Sequence, residues 1–187
     1  MRKRHLFLIA LGILMQQSGL ASADCNMTVS KAWKSAGVTI DASSIGPDCA
    51  RAAALLVVRD GKGHIKYSFS SAAEFIGIFG NLAEAPVTNN TQMRKALNEW
   101  IGTGLSSKKN RLSQYPEWKK GYKGPAENPP AEFPFTANTD IDRNTYEEWR
   151  KQNVPVFCFV QGMESERCVV FTKQGDITEA GIQNFPG

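Results

Sequence analysis

Hydrophobic and polar positions alternate with a period of two in two parts of the chain. An apolar run at 55–59 is followed by the turn signal DGKG, and Ile65, Tyr67 and Phe69 then alternate with polar residues. This pattern predicts a β-hairpin over about 55–69. A second hairpin is predicted over 156–172, and its strands are apolar on both faces, which is typical of a sheet that is covered on both sides.

Three other segments follow the helical period behind a start signal, and the predicted helices span 71–83, 91–103 and 145–153. Capping-box patterns stand at the start of the first and third, where Ser71 precedes Glu74 and Thr145 precedes Glu148. The start signal of the second helix is the polar run at 89–91, and glycines at 102 and 104 are expected to end this helix.

The remaining segments are less regular. Residues 106–141 hold several prolines and few aliphatic residues, and so long a segment suggests a functional loop, a lid or an element that the pattern does not reveal. The pattern allows a short helix at 28–36 and an edge strand at 177–185. The fold class predicted is α+β, a single domain with an antiparallel sheet built from the two hairpins and covered by the helices.

The first residues have the three-part layout of a secretory signal peptide. Basic residues at 2–4 precede an apolar run at 6–15 and the small residues Ala21-Ser22-Ala23. We therefore expect cleavage after residue 23 and a single exported domain at 24–187, periplasmic or secreted. The apolar run is shorter than the about 20 residues of a membrane-spanning helix, so we expect no anchor after cleavage.

Charge changes once this segment is removed. Three of the 22 Lys and Arg residues lie in it and none of the 18 Asp and Glu residues, which leaves a formal charge of +1 instead of +4. The basic character of the whole chain therefore belongs mostly to the targeting segment, and nucleic acid is not an expected partner.

All the cysteines lie after the signal segment. An even number of cysteines in an exported chain predicts disulfides. The spacing favours Cys25–Cys49 and Cys158–Cys168, the second of these across the 156–172 hairpin. The alternative, free or metal-bound thiols, lacks a second histidine for a mixed zinc site once His5 is removed.

Basic and aromatic residues alternate in 108–123, where Glu117 is the one acid. Aromatic rings stack on sugars or bases, and cations pair with anionic groups. This segment is the predicted binding site for a protein or an anionic envelope component, although its aromatic side chains would equally suit packing on the core. The predicted binding residues are Lys108, Lys109, Arg111, Tyr115, Trp118, Lys119, Lys120, Tyr122 and Lys123.

Catalytic and metal-binding patterns are weak by comparison. The residues after Asp140 resemble the start of a calcium loop, but Thr145 and Lys151 stand where such a loop needs Gly and Glu. We expect these acids to complement the start of a helix instead. His64 lies on the polar face of a predicted strand with no nucleophile motif near it in sequence. No metal, cofactor or catalytic residue is therefore predicted.

These observations favour an exported, non-enzymatic binding protein of inhibitor, immunity or envelope-accessory type. Two alternatives remain open. One is a small secreted hydrolase that uses convergent carboxylates beneath a lid formed by 106–141. The other is a small-ligand sensor with an apolar pocket beside the sheet.

Overall fold

Two four-stranded antiparallel sheets form the framework of the computed structural model, which describes residues 24–79, 87–125 and 134–184. The predicted signal segment lies outside these residues. The α+β class is confirmed, but the strands are distributed differently from the prediction, because each predicted hairpin belongs to its own sheet. No helix in the described parts of the chain is long and apolar enough to cross a membrane.

The first sheet is an antiparallel meander in which each strand pairs with the next. Its strands are β1 (Met27–Trp33), β2 (Val38–Ile45), β3 (Ala53–Arg59) and β4 (Ile65–Ala72). The predicted hairpin at 55–69 is confirmed as β3 and β4. In the turn between them the Asp60 carboxylate accepts hydrogen bonds from the amides of Lys62 and His64.

The helix considered at 28–36 is wrong, because β1 and the turn after it occupy this segment. Alternate residues of β1 face the core, among them Trp33, which is 3% exposed. The inward positions of β1 include Lys31, whose long stem crosses to the carbonyl of Asn98. Because a lysine stands at this inward position, the alternation of apolar and polar residues that marks a strand is interrupted in the sequence of β1.

The helix predicted at 71–83 is wrong as far as the structure describes it, and residues 80–83 lie outside the described residues. Strand β4 continues to Ala72, and a single 3₁₀ turn, Ala73–Phe75, follows. The amide of Ala73 donates to the carbonyl of Ala52 beside β3. Pairing with β3 therefore extends over the residues that would have formed the first helical turn.

Helix α1 (Asn90–Ser106) confirms the second predicted helix and is longer at its C-terminal end. The Asn89 side chain accepts from the amide of Gln92, which is the capping expected of Asn at this position. Gly104 does not end the helix. A Cβ there would collide with the Cys158 carbonyl and the Phe157 ring, so this glycine permits close approach of the helix to the second sheet.

The second sheet has the order β5–β8–β7–β6. Its strands are β5 (Phe135–Ala137), β6 (Val156–Val160), β7 (Ser165–Phe171) and β8 (Ile177–Asn184). The hairpin predicted at 156–172 is confirmed as β6 and β7. The prediction of an edge strand at 177–185 is wrong in its position, because β8 lies between β7 and the short strand β5, which lay unrecognised within 106–141.

Helix α2 (Arg143–Lys151) begins two residues before the predicted span of 145–153. The Asp142 carboxylate caps it by accepting a 2.7 Å hydrogen bond from the amide of Thr145. The predicted role of this acid at a helix start is confirmed, and the predicted capping box at Thr145 is displaced by it. Asn153, with a φ of 53°, adopts the left-handed conformation that follows the helix end.

The second sheet has a hydrophobic core on each face, as the apolar pattern of 156–172 predicted. Phe157, Phe159 and Val169 face α1 and the first sheet. Cys158, Cys168 and Val170 face the other way, toward α2 and the segment that follows α1. Both predicted disulfides are confirmed: Cys25–Cys49 ties the chain just before β1 to the 3₁₀ turn between β2 and β3, and Cys158–Cys168 joins β6 to β7.

Candidate binding surface

The segment after α1 runs along the edge of the second sheet. The amide of Leu112 donates to the carbonyl of Val154, and the amide of Val156 donates to the carbonyl of Asn110. Leu112 is fully buried. The first part of the predicted binding segment is therefore built into the framework and covers the edge of β6.

Tyr115 is a core residue. It is 5% exposed, and its ring lies 5.0 Å from that of Phe135 between centroids. Its hydroxyl lies 2.9 Å from Cys158 Sγ, and the hydroxyl is the donor because a disulfide sulfur carries no hydrogen. Burial raises the pKa of Tyr115 above its ordinary value. The prediction that this residue contributes to binding is therefore replaced by a packing role.

Trp118 is half-buried and turned inward. Its ring packs edge-on against Tyr146 at 6.0 Å, and its indole N–H donates to the carbonyl of Tyr122 at 2.8 Å. Its amide donates to Glu147 Oε1 at 2.7 Å. Both the contact of the ring with Tyr146 and the hydrogen bond of the indole N–H are thus made within the protein.

Helix α2 fixes the backbone on either side of Trp118. The Tyr146 hydroxyl donates to the carbonyl of Pro116 at 2.9 Å, and Arg143 Nε donates to the carbonyl of Trp118 at 2.7 Å. Arg150 pairs with Glu147 at 3.0 Å and holds that carboxylate in place. The side chains of one short helix therefore bind three polar groups of the loop backbone, the carbonyl of Pro116 and both the amide and the carbonyl of Trp118.

Beyond Trp118 the chain makes an exposed turn. The amide of Tyr122 donates to the carbonyl of Lys119 at 3.2 Å, and Gly121 has a φ of 90°, which favours glycine. We call residues 119–123 the basic turn. All of its residues are exposed, and Tyr122 is 59% exposed.

The polar groups at the ends of the side chains in the basic turn have no partner in the described parts of the chain. The side chains of Lys119, Lys120 and Lys123 make no hydrogen bond or ion pair with described residues, and neither does the Tyr122 hydroxyl. These cations lie on a backbone that Trp118 and α2 hold in one conformation. No acidic side chain of the described segments forms an ion pair with them.

The other predicted binding residues lie nearer the framework. Lys109 Nζ lies 5.8 Å from the centroid of the Tyr115 ring. Arg111 is half-buried and donates to the carbonyl of Asn153. Lys108 is exposed and its carbonyl accepts from Gln114.

Acidic residues show no catalytic arrangement among the described residues. Glu147 binds the loop, whereas Glu148 accepts from Gln152 on its own helix. His64 is exposed, as predicted, and lies 3.1 Å from Asp60, but it belongs to the turn before β4 and not to the strand itself. In the described ranges no three His, Cys, Asp or Glu side chains are grouped closely enough to hold a metal ion.

Sequence inspection missed a polar cluster between the two sheets. The Tyr67 hydroxyl on β4 donates to Glu179 Oε1 on β8 at 2.9 Å, and Arg167 on β7 pairs with the same oxygen at 2.5 Å. Burial and the carboxylate raise the pKa of Tyr67. The available signal was one basic residue in β7, Arg167, and one acidic residue in β8, Glu179. These residues join the sheets and face one another rather than an open cleft.

No protein-family model, curated protein or solved structure matches the chain. The function is therefore argued from the geometry of the chain.

Proposed function

We propose that this chain is an exported, non-enzymatic binding protein of inhibitor, immunity or envelope-accessory type, which engages an anionic partner through the basic turn. The observation that carries the proposal is the combination of a fixed backbone with cations that have no partner among residues 24–79, 87–125 and 134–184. Lys119, Lys120 and Lys123 are exposed on a loop whose preceding residues are bound by α2.

A fixed loop is suited to binding because association costs free energy when it orders mobile groups. Here the hydrogen bonds to Pro116 and Trp118 order the backbone before any partner arrives. The partner then orders only the lysine side chains and the Tyr122 ring.

Charge on this surface is local. The chain after the predicted cleavage site has a formal charge of +1, so attraction to an anionic partner arises from the arrangement of the lysines and not from the net charge of the protein. Exposed cations act through water and are screened by salt within about 10 Å at 0.1 M. We expect binding to be weak to moderate and to weaken as the salt concentration rises.

The experiment compares retention of the folded chain, from residue 24 onward, on immobilised polygalacturonate, polyglutamate and phosphatidylglycerol vesicles. The test variant is Lys119→Ala/Lys120→Ala/Lys123→Ala. The control, Lys34→Ala/Lys62→Ala/Lys173→Ala, removes the same charge from exposed lysines at other turns. We expect the wild type and the control to be retained on at least one of these probes and the test variant to elute at lower salt.

Equal elution of the two triple variants would mean that only net charge matters, and the basic turn would then be excluded as the site. Failure of the wild type to bind any of the three probes would exclude an anionic partner of these chemical classes. Circular dichroism of each variant shows whether the fold is retained, which we expect because all the substituted side chains are exposed.

A further inference from the structure

We infer that the anionic partner is a lipid bilayer, and that the basic turn contacts its surface with the Tyr122 ring at the level of the headgroups. This inference rests on the proposed function and names its partner class. It follows from the shape of the turn, from the state of its two aromatic residues and from the position of the lysines around Tyr122.

The shape of the turn favours a broad surface over an enclosed ligand. Every residue from 119 to 123 is exposed, and the hydrogen bond from the Tyr122 amide to the Lys119 carbonyl makes the chain reverse at the protein surface. A small molecule needs a concave site that removes most of its surface from water. An exposed turn instead offers its tip to a surface larger than itself.

The aromatic residues distinguish a bilayer from a glycan. Sugar binding by stacking needs open ring surface, but Trp118 is half-buried, its ring makes a T-shaped contact with Tyr146 and its N–H is bound to the Tyr122 carbonyl. Tyr122 is the aromatic residue of the turn, is 59% exposed, and its hydroxyl has no partner in the part of the chain that the structure describes. A single exposed tyrosine has an apolar ring and a polar hydroxyl, a combination that is stable at a membrane–water interface.

The lysines complete the arrangement. Lys120 and Lys123 lie within two residues of Tyr122 on either side, and Lys119 is at the other end of the turn. Long lysine stems can lie along apolar surface while their ammonium groups reach phosphates. Basic residues near an anionic leaflet are attracted by its surface potential, and the attraction is confined to about a Debye length.

The role of Tyr122 separates this inference from simple ion exchange. Attraction between the lysines and a polyanion does not require an aromatic ring. At a bilayer, a ring placed among the headgroups makes an apolar contact in addition to the ionic attraction. Tyr122→Ser should therefore weaken binding to vesicles and leave retention on polygalacturonate and polyglutamate unchanged. Tyr122→Trp should preserve vesicle binding, because Trp also favours the interface.

The test is co-sedimentation of the folded chain with vesicles of phosphatidylcholine mixed with phosphatidylglycerol, beside pure phosphatidylcholine vesicles, because an anionic surface attracts basic segments. We expect binding to the anionic vesicles only. We expect a loss of about a hundredfold for Lys119→Ala/Lys120→Ala/Lys123→Ala, a smaller loss for Tyr122→Ser, and wild-type binding for Lys34→Ala/Lys62→Ala/Lys173→Ala. Brominated acyl chains should quench the added tryptophan of Tyr122→Trp.

Retention on polygalacturonate or polyglutamate without binding to the anionic vesicles would overturn the bilayer inference and leave the proposed function standing. Equal vesicle binding by Tyr122→Ser and wild type would also overturn it, because the ring would then have no part in the contact. Failure on every anionic probe would overturn both proposals together.

Discussion

The amide of Trp118 donates a 2.7 Å hydrogen bond to Glu147 Oε1, and this bond links the loop that carries the basic turn to helix α2. Glu147 is also paired with Arg150, and its side chain is 16% exposed. One carboxylate therefore connects the framework to the surface that we propose to be functional. The state of this bond should decide how well the turn is held.

Glu147→Ala should release the loop without unfolding the protein. A hydrogen bond to a charged group contributes about 1.5 kcal/mol or more, which is equivalent to a factor of about ten in the opening equilibrium. Trypsin cleavage after Lys119 and Lys120 should therefore become about tenfold faster, since proteolysis follows the open population when opening is rapid. Glu148→Ala is the control, because Glu148 is exposed and binds Gln152 on its own helix. Equal cleavage rates would show that other contacts hold the loop.

Gly104→Ala should destabilise the protein, and Gly102→Ala should not. A Cβ at 104 would collide with the Cys158 carbonyl and the Phe157 ring, and crowding of this kind costs about 1–3 kcal/mol. At 102 the Cβ would approach only the end of the flexible Lys31 side chain, and replacing a helical glycine by alanine stabilises a helix by up to about 1 kcal/mol. Urea unfolding of the two variants should give changes of opposite sign. A stabilised Gly104→Ala would mean that α1 can move away from β6.

The second sheet could be predicted from sequence where its strands carry their own signal. Strands β6 and β7 are apolar on both faces, and the register of the hairpin placed Cys158 opposite Cys168, as the structure has them. Strand β5 has only three residues and lies among prolines. Its pairing with β8 comes from residues far along the chain, so no local pattern marks it.

The candidate site shows a similar limit. Composition singled out 108–123, but it did not separate Tyr115 and Trp118, which are held inside, from Tyr122, which is exposed. The difference arises from the Cys158–Cys168 disulfide and from α2, which follow more than 20 residues later. A contact between such distant residues depends on the tertiary fold, and the alternation of residue types does not encode it locally.

Tyr67→Phe should weaken the contact between the two sheets. The Tyr67 hydroxyl donates to Glu179 across the interface, and the loss of a hydrogen bond to a partly buried carboxylate should lower the free energy of unfolding by roughly 1–2 kcal/mol. Ser30→Ala is a matched control, because Ser30 also donates to a carboxylate, that of Asp41, but on an exposed face. We expect the control to change stability by less than about 0.5 kcal/mol. Chemical denaturation measures both, and equal effects would show that Tyr67 does not contribute more than a surface contact.

Glu166→Gln should make the protein more stable at neutral pH. Burial raises the pKa of Glu166 above its ordinary value, and its carboxylate makes no hydrogen bond or ion pair with described residues. The ionised form is therefore less favourable in the folded chain than in the unfolded chain. Between the unfolded pKa, near 4.3, and the raised folded pKa, the native state binds more protons, so the wild type loses stability as the pH rises through that interval.

Glutamine removes this dependence because it does not ionise. The melting temperature of Glu166→Gln should exceed that of the wild type at pH 7, and the difference should disappear as the pH falls below about 4.3, where the wild-type carboxyl is protonated in both states. Glu164→Gln is the control, since Glu164 lies exposed in the turn between β6 and β7 and should show no such gain. Calorimetry across this pH range tests the sign directly. A Glu166→Gln variant less stable than the wild type at pH 7 would mean that the ionised carboxylate is stabilised in the folded protein by a charge or a donor.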